Sequence, residues 1–109
     1  MARVEIYGGI CGFNTTVQVA GAGGRKVKIT LESECPNWQK AAEYLREYLK
    51  EVDAYKEVFG KLHESETYRL YAPFIPHPAC LVPAGIVKAI EVAAGLALPR
   101  DGVVKVINE

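Results

Sequence analysis

Three cysteines, Cys11, Cys35 and Cys80, hold most of the chemistry this sequence can offer, and they stand 24 and 45 residues apart. Cysteinate is the ligand of soft metal ions: zinc takes sulfur at about 2.3 Å, and iron–sulfur clusters hang from cysteine thiolates. There is no C-x-x-C pair, and those spacings match neither a zinc finger nor a ferredoxin run. A metal reading therefore rests on where the three residues fall. Cys11 lies in the glycine-dense run Gly8-Gly9-Ile10-Cys11-Gly12, Cys35 directly precedes Pro36, and Cys80 precedes Pro83 by three residues. Each is a strand end or the approach to a helix. Such junctions can converge on one edge of a two-layer fold, where backbone N–H groups and a helix N-terminus would stabilise negative sulfur. His77, three residues before Cys80, is the candidate fourth ligand of a Cys3His zinc site. Otherwise water or substrate takes an open position on zinc or on an iron–sulfur cluster. His63 is the next choice, and Glu32, Ser33 and Glu34 stand where they could orient Cys35 from behind.

Two rival readings use the same residues. A metal-free thiol enzyme or redox protein would employ Cys35 at the helix start, or Cys80 with His77 as its base. Alternatively the cysteines are small buried hydrophobes, His77 is a solvated loop residue between Pro76 and Pro78, and the domain is a non-catalytic interaction module. That module would bind a protein partner through its sheet face or through residues 73–78. Three is an odd number, so a disulfide framework would leave one thiol unpaired.

The elements that must position these residues are read from periodicity. Residues 3–7, 15–20 and 26–32 alternate apolar with polar, turning Val4 and Ile6, Val17 and Val19, and Val27, Ile29 and Leu31 to one side. Gly21-Ala22-Gly23-Gly24 joins the second and third as an antiparallel hairpin. From Trp38 the period becomes helical, with Trp38, Ala41, Ala42, Leu45, Tyr48, Leu49 and Val52 on one stripe, Pro36 at the first helical position and Cys35 as N-cap. Asp53 caps a short continuation through Phe59 that Gly60 stops. Residues 61–78 read as a loop with a short strand at 68–71. Pro83 opens a second main helix with Ile86, Ile90, Ala93 and Ala94 on its apolar face and Gly95 as its stop, and residues 103–107 read as the last strand. The expected architecture is one α+β domain over 1–109. It is a two-layer sandwich in the order β-β-β-α-α-β, with a mainly antiparallel sheet of about four strands, two main helices on one face, and the last strand beside an early one in parallel.

The composition closes off several classes of function. Thirteen basic residues balance thirteen acidic ones in a chain of 109, so no net field draws it to nucleic acid or to an anionic membrane. No apolar run approaches the roughly 20 residues of a membrane span, and Glu5 stands where the apolar part of a signal peptide would begin. The expectation is a cytoplasmic protein with reduced thiols. Neither G-x-x-x-x-G-K-[ST] nor G-x-G-x-x-G follows a strand, which argues against nucleotide binding. A domain this small has little room for a deep cleft, favouring a binding role, or half of a site in a homodimer, over a self-contained enzyme.

The runs Cys11-Gly12-Phe13-Asn14-Thr15-Thr16-Val17, Glu34-Cys35-Pro36 and Cys80-Leu81-Val82-Pro83-Ala84-Gly85-Ile86-Val87-Lys88-Ala89-Ile90 resemble a family of small three-cysteine proteins of unknown function from anaerobic prokaryotes. The resemblance spans nearly the whole chain. It implies a stand-alone cytosolic domain with Cys11, Cys35 and Cys80 as the site positions, in a setting that suits an oxygen-sensitive cluster. It implies no role for His77 and no substrate.

Overall fold

The computed structural model describes residues 1–48 and 51–109, without the side chains of 45–48. Among the described residues the chain forms β1 (Ala2–Tyr7), β2 (Asn14–Gly21), β3 (Lys26–Ser33), α1 (Pro36–Tyr48), β4 (Val52–Asp53), α2 (Ala54–Phe59), α3 (Glu66–Tyr71) and α4 (Val82–Ala93), with 3₁₀ turns at Leu62–Glu64 and Ala72–Phe74. The strands make one antiparallel sheet in sequence order, with Val4 opposite Val17 and Val17 opposite Leu31. Because side chains alternate along a strand, that register stacks Val17, Val19, Val27 and Leu31 on the buried face and leaves Arg3, Glu5, Lys28, Thr30 and Glu32 on the exposed one. The expected α+β fold is present.

The helices cover the apolar face. α1 lies against β3, α4 against β1 and β2, and α2 and α3 flank α4. Trp38, Ala41, Ile86, Ala89 and Ile90 are fully buried there. α4 comes close because Gly85 faces the sheet: a Cβ at that position would lie 2.3 Å from Ile6 Cδ1 and 2.7 Å from its Cγ1. The small residue is thus a condition of helix–sheet contact, and Gly95 at φ +74° ends the helix as expected.

A buried polar group organises the short helices. The carboxylate of Glu57 accepts from Ser65 Oγ at 2.7 Å and from the backbone N–H groups of Glu66 and Thr67 at 2.6 and 3.2 Å, satisfying the first donors of α3. α3 in turn places Tyr71 against Trp38, with ring centroids 5.2 Å apart. The Tyr71 hydroxyl and Thr67 Oγ1 are buried with no hydrogen-bond partner among the described residues.

Four expectations are corrected. Residues 103–107 form no strand and lie exposed; the fourth strand is instead β4, two residues long and paired antiparallel with Lys26 and Val27 of β3. The order is therefore β-β-β-α-β-α-α-α. Val52 fits the helical stripe by spacing but belongs to β4, while the side chains of Leu45 and Tyr48, and all of Leu49, lie outside the described residues. Residues 68–71 are helical, inside α3, because Ser65 caps that helix directly and Glu57, from the preceding helix, takes up its first N–H groups. Pro83 falls one residue inside α4, which begins at Val82. The Asp53 cap stands as read, its carboxylate accepting from Tyr55 and Lys56 N–H at 3.0 and 3.3 Å before Gly60 ends α2. No helix among the described residues is long and apolar enough to cross a membrane.

Gly85→Ala is expected to destabilise the domain by about 1–3 kcal/mol through overpacking on Ile6, and trimming Ile6 to Val in the same chain to recover part of that loss. Urea denaturation of the three variants measures it. Burial, with Glu57 adding to it, raises the Tyr71 phenol above its ordinary value. Unfolded tyrosine ionises near pH 10, whereas folded Tyr71 keeps its proton beyond that point. Stability present below about pH 10 is therefore lost as the pH rises further. Tyr71→Phe is expected to flatten this alkaline limb and to leave neutral-pH stability unchanged or higher by about 1 kcal/mol, since it removes a buried hydroxyl without a partner. A comparable loss at neutral pH would mean that the hydroxyl is satisfied after all.

Candidate functional site

Antiparallel pairing puts the start of β2 beside the end of β3, Thr15 facing Ser33. The β1–β2 loop carrying Cys11 and the β3–α1 junction carrying Cys35 therefore emerge side by side. Polar bonds fix the two together. Glu34 N–H donates to the Asn14 carbonyl at 3.0 Å, and Asn14 returns bonds to the Glu34 carboxylate from its backbone N–H at 2.7 Å and its Nδ2 at 2.9 Å. These bonds, the backbone one first, hold the Glu34 carboxyl below the usual carboxylate range. Buried Thr15 Oγ1 lies 2.7 Å from Ser33 Oγ, which accepts the Cys35 N–H at 3.0 Å. The Cys35 carbonyl accepts the Gln39 N–H at 2.9 Å as the first bond of α1, so Cys35 occupies the expected N-cap position.

Loop 8–13 is closed by Gly8 N–H donating to the Phe13 carbonyl and Gly12 N–H to the Gly9 carbonyl, each at 3.0 Å. Gly9 and Gly12 take φ of +84° and +73°, the left-handed region that disfavours a side chain. Gly8 is needed for a different reason: a Cβ there would stand 2.4 Å from Cys11 Sγ. The sulfur rests on the bare face of Gly8, while the Cys11 residue as a whole is exposed.

Cys80 arrives from the far end of the sequence on the segment that leads into α4. Its half-buried sulfur accepts a hydrogen bond from Trp38 Nε1–H at 3.2 Å. That contact ties the approach to α4 to the first turn of α1. The indole is 1 % exposed, so the bond is shielded on the Trp38 side.

The outcome is one small pocket of about 100 Å³ lined by Cys11, Cys35, Cys80 and His77, with Phe13, Trp38 and Val82 among its apolar walls. His77 is exposed and lines the same pocket. His63 lies elsewhere, exposed in the 3₁₀ turn Leu62–Glu64. Ser33 and Glu34 support the backbone around Cys35, and Glu32 sits on the exposed sheet face. Sharing a pocket is not sharing a point: among the described residues, no three His, Cys, Asp or Glu side chains are arranged to hold a metal ion. Trp38 is the participant that sequence reasoning missed. Its place on the helical stripe accounted for the ring as core, and nothing local marks its N–H as a donor to a sulfur 42 residues away.

A second hollow, more open and near 450 Å³, lies between Arg25, Tyr55, Lys56, Phe59 and Glu64. It contains no thiol or imidazole. Its guanidinium is already engaged, over the Tyr55 ring at 4.8 Å and with Asp53 at 3.3 Å. The cysteine-lined pocket, though smaller, is the one that holds thiols and an imidazole.

Exposure orders the thiols. In metal-free protein, iodoacetamide is expected to modify Cys11 first, with Cys35 and Cys80 following, as read by mass spectrometry over time. Gly8→Ala is expected to push Cys11 out of the pocket and speed its modification further without altering the far-UV spectrum. Modification of Cys80 ahead of Cys11 would contradict this geometry.

Comparison with curated proteins and with solved structures finds no match to the chain. A family model does match, over residues 2–106, and by that match the chain belongs to DUF6951, a family of unknown function.

Proposed function

We propose that this domain binds an iron–sulfur cluster through Cys11, Cys35 and Cys80, and serves in cluster handling or electron transfer. The observation that supports it is the convergence of three thiols, 24 and 45 residues apart in sequence, on one pocket of about 100 Å³. A single zinc ion would need all three sulfurs at about 2.3 Å from one point, an arrangement the described side chains do not have. A cluster spreads its irons over several bond lengths, so its cysteinates stand further apart around a larger body. The donor set fits such a group: three soft sulfurs, one imidazole beside them, and apolar walls that limit water.

When bound, a cluster of this kind supplies one-electron chemistry or a Lewis-acidic iron. The chain's own residues do the rest. Cys11 stands on an exposed loop, open to solvent. Cys35 is presented by the first turn of α1, and Cys80 is oriented by the Trp38 N–H, the type of sulfur hydrogen bond that tunes cluster potentials. His77 offers a fourth donor, or leaves one iron position for an exogenous ligand.

The Trp38–Cys80 bond, with His77 lining the same pocket, also favours a second reading: metal-free thiol chemistry at Cys80, the histidine accepting its proton. Anaerobic purification followed by metal and sulfide analysis, an absorption spectrum and reconstitution with ferrous iron and sulfide separates the two. The expected result is near-stoichiometric iron and sulfide with visible charge-transfer bands, lost in Cys11→Ser, Cys35→Ser and Cys80→Ser alike. Zinc retained through all three cysteines would replace the cluster by a single ion. Folded protein that takes up neither metal would transfer the assignment to thiol chemistry, for which His77→Ala should slow Cys80 alkylation near neutral pH.

A further inference from the structure

The sheet ends on β1, and among the described residues no strand pairs with its outer edge. β1 pairs with β2 in antiparallel register from Ala2–Val19 to Tyr7–Asn14, and the Gly8–Phe13 bond continues that ladder. Hydrogen-bonded positions alternate along such a ladder, so Ala2, Val4 and Ile6 bond inward while the N–H and C=O groups of Arg3, Glu5 and Tyr7 point away from β2. Val4 and Ile6 pack on the core yet stay only half-buried. The edge carries no proline, and its backbone is a ready template for another strand.

The same chain contains a strand without a sheet. Residues 103–107, Val-Val-Lys-Val-Ile, are β-branched at four of five positions, and those four are 67–94 % exposed. They follow Gly102, which passes close to Lys88 on α4, the helix that covers β1. The family match runs from β1 to Val106, so both the edge and most of this segment belong to the shared domain. Within one copy the segment buries almost none of its apolar surface, although an edge of matching length is open.

We propose that residues 103–107 pair with the outer edge of β1 in a second copy of this chain, reciprocally, giving a two-fold dimer in which each sheet gains a strand. Alternation sets which face each residue takes. With Val104 and Val106 turned to the core face beside Val4 and Ile6, Lys105 falls on the outer face beside the Arg3–Glu5 ion pair, where the Glu5 carboxylate can accept a second cation. A two-fold exchange satisfies both edges with one contact type and closes without further growth. This inference is independent of what the cysteine pocket binds.

The test uses the full chain and two variants. Val106→Asp charges a side chain that is 94 % exposed in a single copy, so folding of that copy does not depend on it. Glu5→Pro removes one outward N–H from an edge strand, a position that tolerates proline. Sedimentation over a concentration series should show a dimer for the wild type and a monomer for each variant. Amide exchange at Arg3, Glu5 and Tyr7 should be slower in the wild type than in Val106→Asp by about tenfold or more. A wild-type monomer with fast exchange at those amides would overturn the proposal. So would a monomer with protected amides, which would mean that the segment closes on its own sheet. A dimer indifferent to Val106→Asp would place the contact elsewhere and overturn it equally.

Discussion

Everything in this domain that could act depends on the register of the β1–β2–β3 ladder. Side chains alternate with period two, so the pairing that sets Val4 opposite Val17 and Val17 opposite Leu31 decides which residues meet the helices. It also decides where the loops end. A slip of one residue would send Val17 and Val19 to water and separate Asn14 from Glu34, whose mutual bonds hold the Cys11 loop against the Cys35 junction. Core and candidate site are thus consequences of one alignment rather than separate achievements.

A chain of support runs from α2 to the same pocket. Glu57 fixes the start of α3, α3 carries Tyr71, the Tyr71 ring packs on Trp38, and the Trp38 N–H reaches Cys80. Each link is short-ranged and each differs in kind: ion–dipole bonds to N–H groups, ring packing, then a hydrogen bond to sulfur. Two hydroxyls along it, those of Thr67 and Tyr71, are buried without partners among the described residues, a stability penalty this packing carries.

The sequence revealed those parts whose determinants are local. Alternation marked the three long strands, Pro36 with the following stripe marked α1, and Asp53 and Gly60 bracketed α2 correctly. Cys35 was recognisable as an N-cap from Pro36 alone. What escaped notice was set by distant contacts. β4 is two residues long and exists because Val27 offers it a partner, while Val52 also satisfies the helical spacing. α3 is capped by Glu57, eight to ten residues earlier, so its own residues looked like loop. Residues 103–107 have strand composition, but composition supplies no partner. For the site, junction placement allowed the three cysteines to meet on one edge without deciding it; that they line one pocket, and that the indole bonds to one of them, depend on packing that periodicity does not encode.

The meander of β1, β2 and β3 needs only contacts between neighbours in sequence, and such local pairing forms quickly because little loop entropy must be lost. Gly85 settling on Ile6 is of another order, joining segments nearly eighty residues apart. Cys80 precedes that contact by five residues. The pocket is therefore complete only once that long-range contact has formed, and a chain still emerging from the ribosome exposes Cys11 and Cys35 well before Cys80. Until then two thiols stand without the third, so whatever needs all three can find them only in the folded domain.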